Sequence, residues 1–568
     1  MSEGKRKKIS IGVEDFKELI VKNGYFVDKT LMIRDILESN TKVTLFTRPR
    51  RFGKTMNQFM LRRFLEDERT DQGEKIENGA LFDGLAICSC GEEILSQQQQ
   101  YPVIFLSLKS GKQPDYGMAY ASLVDEIAKE FSRHRYLLHG GILSADEEKR
   151  FLALWNRKGE AIENAKALAF LSECLFRYHG RNVILLIDEY DVPLENAYFQ
   201  GFYDEMIGFL RSLFESALKT NPYLEKGIIT GCLRISRESI FTGLNNLEVD
   251  TVLNTRYPDS FGFTEKEVRE MLGYYGLEHQ MPEVRNWYDG YRFGGLKIYN
   301  PWSILKYTTD HVDHVTEFPL PYWSNTSSNS IIRELVEDAD EDTKRDLERL
   351  MDGGCIEKPV HEDITYGDIH ESQDNLWNFL FFTGYLKAGS ARMEKNKQYL
   401  TMSIPNTEVA SVYEESISKW FEKRMKATDR SPLIRALEDG DCQKAAELIS
   451  QQLMNTISYY DYAENYYHGF LTGLLSGAGR YQVESNRESG TGRPDIILKT
   501  ANILRGKVII LELKVAGSIE EMEGKCREAA AQIRMQRYAE PFEKEGYPEI
   551  KKYAVCFYKK DCIITEVK

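Results

Sequence analysis

Four short runs of apolar residues constrain the first half of the chain more than any other feature. "VTLF" (43–46), "VIFLSL" (103–108), "VILLI" (183–187) and "GIITG" (227–231) are continuous, not alternating. Strands buried on both faces read this way, and they belong to parallel sheets with helices on each side. Parallel neighbours need long crossovers. Helical patterns at 56–66, 117–132, 160–178 and 201–219 supply them. The first half is therefore expected to be an α/β unit built on a parallel sheet.

The first run feeds a turn, "TRPRRFGKT", that ends in Gly53-Lys54-Thr55. This is the tail of the phosphate-binding pattern G-x-x-x-x-G-K-[ST]. The first glycine of that pattern falls at position 48, which is Arg48. The last glycine matters more, because it lets backbone approach a phosphate at a helix N-terminus. The loop is read as a nucleotide site formed by Arg50, Arg51, Phe52, Gly53, Lys54 and Thr55. Lys54 would face the β- and γ-phosphates and Thr55 would offer its hydroxyl to Mg²⁺. Arg48, Arg50 and Arg51 are expected to add positive charge near that anion. "NVILLIDEYDVP" (182–193) is a hydrophobic strand ending in acid. Asp188 would help hold the Mg²⁺ and Glu189 would polarise the attacking water. Downstream, Thr230 could meet the γ-phosphate region, and Arg234 or Arg237 could stabilise developing charge.

A second constellation lies in "GRPDIILKTANILRGKVIILELK" (492–514). Asp495 opens one strand, and Glu512 and Lys514 share a face of another because they are two residues apart. Carboxylates emerging from an apolar strand are costly unless paired or metal-bound. Asp495 and Glu512 make a hard oxygen site suited to Mg²⁺ or Mn²⁺. Lys514 can orient the attacking water and help deprotonate it. Glu464, on the preceding helix, could be a third acid and metal ligand. Gln532, on the following helix, could position water or substrate. His468 falls one turn from Glu464 on the same helix face and could line the site. A salt bridge between neighbouring strands is the ordinary alternative for the acid–lysine pattern.

At 568 residues the chain exceeds one hydrophobic core. The pattern divides it into 1–320, a P-loop domain with a helical extension; 321–450, a mainly helical middle; and 451–568, a small α/β domain. Thr264 and Glu267 form a capping box at the head of a helix near 263–272. The net charge of −14 excludes a basic coat for nucleic acid, leaving local patches. Residues 46–65 carry six Lys or Arg and no acid; residues 480–514 carry seven against four Asp or Glu. Nine scattered cysteines and no apolar segment of membrane length predict a reduced, soluble, cytoplasmic protein with no membrane partner.

The motifs in series resemble a known family. "YFVDKT" (25–30), "RPRRFGKT" (48–55), "LLIDEYD" (185–191), "TGCLRISRESIFTGLNNL" (230–247) and "WYDGYRFG" (287–294) resemble the prokaryotic AAA-ATPase-like domain proteins. That family's loop typically lacks the first glycine, so Arg48 departs from the general pattern and not from the family. "IPNTEV" (404–409) and "YYHGFLTGLL" (466–475) continue the match, and "ESNRESGTGRPDIIL" with "IILELK" resembles its C-terminal PD-(D/E)XK nuclease domain. The resemblance implies a P-loop ATPase fused to a restriction-endonuclease-like fold.

The expected function is an ATP-binding and ATP-hydrolysing protein coupled to a Mg²⁺-dependent nuclease, with DNA as the expected nucleic acid. The open alternative is a nucleotide-dependent switch or remodeller whose nuclease fold only binds nucleic acid. Such ATPases often assemble, so a homo-oligomer is compatible with this reading.

Overall fold

The computed structural model describes residues 6–568 apart from 235–239, 242–243, 324–331, 333–339, 363–371, 428, 455–463, 477–479 and 486–491. Arg237 and most of "SNRESGTG" lie outside the described residues. The chain divides into two compact units, 1–327 with 355–411, and 328–354 with 412–568.

The first unit is built on five parallel strands: β1 (Val43–Thr47), β2 (Val103–Ser107), β3 (Val183–Asp188), β4 (Leu224–Gly231) and β5 (Leu247–Asp250), in the order β2-β3-β4-β1-β5. Every residue of β1 and β3 is buried, as continuous apolar runs require. Helix α1 (Lys54–Leu65) follows β1 directly. Because β4 lies between β1 and β3, the loops leaving all three strands emerge side by side at the carboxyl edge. Ligands of open α/β sheets bind at that edge.

Two small sheets complete the unit. β6 (Phe263–Thr264), β7 (Tyr291–Phe293) and β8 (Leu296–Tyr299) pair in the order β6-β8-β7, and α2 (Pro301–Val312) follows them. The Thr264–Glu267 capping box forms as expected. β9 (Ile356–Val360), β10 (Lys387–Glu394) and β11 (Lys397–Ser403) form an antiparallel sheet, order β10-β11-β9, with α3 (Gln373–Thr383) between β9 and β10. The middle stretch 321–450 thus contains a sheet as well as helices and is shared between the two units. Its strands carry mostly half-exposed polar residues, which leaves little apolar signal to read. Helix α4 (Thr407–Ala427) begins in the first unit and continues into the second.

The second unit centres on a mixed sheet of β12 (Tyr481–Ser485), β13 (Ile496–Thr500), β14 (Lys507–Val515), β15 (Glu549–Tyr558) and β16 (Asp561–Glu566), in sequence order. β14 and β15 are parallel and the other pairs antiparallel. Alternation sorts the sheet into two cores. Ile496, Leu498, Ile509, Leu511 and Leu513 face Tyr467, Phe470 and Leu471 of α5 (Glu464–Leu475). Ile497, Val508 and Ile510 face Cys526, Ala529 and Ile533 of α6 (Met522–Met535).

Candidate functional site

Two acidic clusters stand out, one in each unit. In the first unit the loop 48–53 turns with left-handed backbone at Arg51 (φ 69°) and Gly53 (φ 83°). A Cβ added at Gly53 would meet nothing within 4 Å, so the loop opens into free space there. The first N–H groups of α1 have no intrahelical partner by helix geometry. They and the helix dipole make this opening suited to an anion. Lys54 Nζ is buried and donates to the backbone oxygens of Arg48 (2.9 Å) and Pro49 (2.8 Å).

Thr55 Oγ1 donates to Asp188 Oδ2 at 2.7 Å, and Thr230 Oγ1 donates to Asp188 Oδ1. The first turn of α1 and the ends of β3 and β4 therefore meet at one carboxylate. Burial raises the Asp188 carboxyl above its ordinary range, while the two hydroxyls and the nearby Lys54 pull it back. Glu189, with left-handed backbone (φ 53°), is also raised, by burial and then by Asp188 beside it. Gln58 donates to Thr230 Oγ1 at 3.4 Å from inside α1. Asp191 accepts from the backbone N–H groups of Cys232 (2.8 Å) and Leu233 (3.1 Å), fixing the exit of β4. Arg234 pairs with Glu362 at 2.9 Å.

The three loop arginines do not act alike. Arg50 pairs with Glu195 (Nη2–Oε1 2.6 Å), and Arg51 lies over the Trp302 ring at 4.2 Å. Arg48 is fully buried against Asp250. Its expected place beside an anion is corrected: its charge is spent on β5, beyond what spacing along one loop can reveal. The Phe52 ring packs in the core against Tyr291 (5.0 Å) and Phe293 (5.1 Å), so its side chain is engaged in packing. Asn300 donates to Arg50 O at 3.4 Å, and Gly262 N–H to Phe52 O at 3.0 Å. Glu408, in the first turn of α4, accepts from Ser303 Oγ (2.8 Å) and Trp323 N–H (2.8 Å). Its burial pushes the carboxyl up to about 7. Gly262, Tyr291, Phe293, Asn300 and Trp302 thus brace the loop.

In the second unit, Ile496 pairs with Leu511, so the register carried one residue further sets Asp495 beside Glu512. Asp495 Oδ2 accepts the Leu513 N–H at 2.7 Å. Lys514 Nζ lies 3.6 Å from Glu512 Oε1. Glu512 is 1% exposed. Its Oε2 is buried with no hydrogen-bond partner among the described residues. Burial, then the neighbouring Asp495, push the Glu512 carboxyl up to about 7, against the pull of Lys514. A buried, unsatisfied carboxylate oxygen beside a second carboxylate fits a divalent cation. Among the described residues, no group of three or more His, Cys, Asp or Glu gathers to hold a metal.

Gln532 Nε2 donates to the Tyr538 hydroxyl at 3.3 Å. Tyr538 is buried, and burial together with the nearby Glu512 and Asp495 carboxylates raises its pKa, so that it holds its proton more tightly. Tyr538 was missed in sequence, although an aromatic residue six positions beyond Gln532 is the signal that could have found it. His468 Nε2 lies 2.9 Å from Asp495 O and 3.0 Å from Ser485 Oγ. Glu464 opens α5, the helix on the opposite sheet face; its side chain lies outside the described residues.

Comparison with known proteins agrees with both units. Residues 10–241 match the family described as predicted AAA-ATPase, and residues 462–567 match the PD-(D/E)XK nuclease superfamily. The two matches fall in the order of an AAA-ATPase-like domain followed by a PD-(D/E)XK nuclease superfamily domain. A relative from Azotobacter chroococcum mcd 1, described as an uncharacterized protein in the vnfD 5' region, is 27% identical over 418 residues. The match covers 72% of this chain and 70% of that protein. Among the described residues, no helix is long and apolar enough to cross a membrane.

Proposed function

We propose that the protein is an ATP-dependent, Mg²⁺-dependent nuclease acting on DNA. The observation that carries the proposal is the pair of buried carboxylate sites, Asp188 tied to Thr55 and Glu512 beside Asp495. At the first site the N–H groups around Gly53 and the Lys54 ammonium bind the phosphates. Thr55 and Asp188 hold Mg²⁺, and Thr230 keeps Asp188 in place. Glu189, with its raised proton affinity, takes the proton from the attacking water. Arg234 stands at the exit of β4 to balance charge developing on the phosphate. At the second site Asp495 and Glu512 hold Mg²⁺ or Mn²⁺, with Glu464 as a candidate third ligand. Lys514 orients the water, and Gln532 with Tyr538 borders the acids. The cation, when bound, neutralises charge on the scissile phosphate and activates water.

The test compares wild type, Lys54→Ala, Glu189→Gln and Glu512→Ala for ATP turnover and for cleavage of DNA in Mg²⁺ or Mn²⁺. Lys54→Ala and Glu189→Gln should each lower ATP turnover by at least about 100-fold. Glu512→Ala should abolish cleavage and leave turnover intact. Cleavage that survives Glu512→Ala sinks the site assignment. A second reading, a nucleotide-dependent switch or remodeller that binds nucleic acid without cutting, draws on the presence of only two gathered acids among the described residues. Retention of DNA with no scission in any metal would favour it.

A further inference from the structure

Arg48 stands where the general phosphate-loop pattern carries its first glycine. A glycine is needed where backbone must adopt positive φ. In this loop the positive-φ residues are Arg51 and Gly53, and Arg48 is not among them. The turn has moved downstream, which frees position 48 to carry a side chain. That side chain points away from the opening at Gly53. Arg48 Nη2 lies 2.5 Å from Asp250 Oδ1, and Nη1 donates to the backbone oxygens of Asp250 (2.9 Å) and Thr47 (2.9 Å). The guanidinium carbon lies 5.0 Å from the Phe261 ring and 5.3 Å from the Phe293 ring. Meanwhile Arg48 N–H donates to Gly231 O at 3.0 Å, continuing the pairing of β1 with β4. Its own carbonyl, with that of Pro49, accepts the Lys54 ammonium.

We propose that Arg48 and Asp250 are positioning residues for the nucleotide site: the pair staples the loop's entry to β5 and thereby aims the residue 48 and 49 carbonyls at Lys54. This rests on the nucleotide reading given above. An arginine suits the task because its planar fork of donors engages a carboxylate and two carbonyls at once, fixing direction as well as filling space. Stability alone does not require it. Well-packed apolar residues often replace a buried ion pair without loss, whereas removing one partner strands the other charge.

The test turns on Arg48→Gly, which restores the general G-x-x-x-x-G-K-T spelling. A fluorescent ADP analogue is titrated onto the full-length wild type, Arg48→Gly, Arg48→Lys, Lys54→Ala and the double variant Arg48→Met with Asp250→Leu, and each protein's Tm is recorded. Arg48→Gly and Arg48→Lys should weaken ADP binding by about tenfold or more, even though glycine matches the motif. The apolar double variant leaves no stranded charge. It should keep a Tm within a few degrees of wild type and still weaken ADP by about tenfold. ADP binding within about twofold of wild type in Arg48→Gly or in the double variant overturns the proposal. A wild type that does not bind ADP at all overturns the nucleotide reading, and this proposal with it. The two failures are therefore distinct.

Discussion

Glu512 carries a carboxyl raised to about 7 from an ordinary 4.5. Between those values the folded protein binds a proton that the unfolded chain has released. Stability from this group is therefore present below about pH 4.5 and is lost as pH rises through about 7. Glu512→Gln removes the dependence. In the absence of metal it should be more stable than wild type at pH 8, by up to roughly 2 kcal/mol. The difference should vanish near pH 5, as measured by urea unfolding. Mg²⁺ or Mn²⁺ should reverse the order at pH 8 by stabilising only the wild type; equal stabilisation of both would contradict the site. Asp495, Glu512 and Lys514 were legible in sequence because strand periodicity puts Glu512 and Lys514 on one face and a polar break precedes Asp495. The partnership of Arg48 with Asp250 was not, since the two are 202 residues apart and no spacing rule joins them.

The four apolar runs became strands within a few residues of their expected bounds because full burial on both faces leaves no polar alternation to confuse. β5 escaped notice: Leu247–Asp250 is four residues long, with its inner positions exposed or half-buried. The brace around the loop was equally hidden, since it consists of close approaches between segments far apart in the sequence. Gly384 shows how tight these are. It ends α3 with φ 93°, and a Cβ there would lie 2.9 Å from Pro49 Cβ. Gly384→Ala should cost about 1–3 kcal/mol through backbone strain and push Pro49, whose carbonyl holds Lys54. Thermal unfolding should show the cost, and ADP titration should show weaker binding. An unchanged ADP affinity would mean that the loop does not depend on α3.

At the scale of the chain, each compact unit is assembled from two separated segments. Composition suggested boundaries near 320 and 450, but residues 355–411 supply Gly384, the β9–β11 sheet and Glu408 to the first unit. A fragment ending at 320 lacks all three. It should fail to bind the fluorescent ADP analogue under conditions where the full chain does; equal affinity would show that the bracing residues are dispensable.

This interleaving also sets an order of events during synthesis. The first unit lacks its last piece until residue 411 has been made, and the intervening stretch 328–354 belongs to the second unit. At about 5–20 residues per second, translation from residue 327 to residue 411 takes roughly 4–17 s. During that interval the nascent chain holds an unfinished ATPase-like unit together with a segment whose partners have not been translated. A protein built this way has a window of vulnerability to misfolding and chaperone capture that a simple head-to-tail fusion of the same two domains would not have.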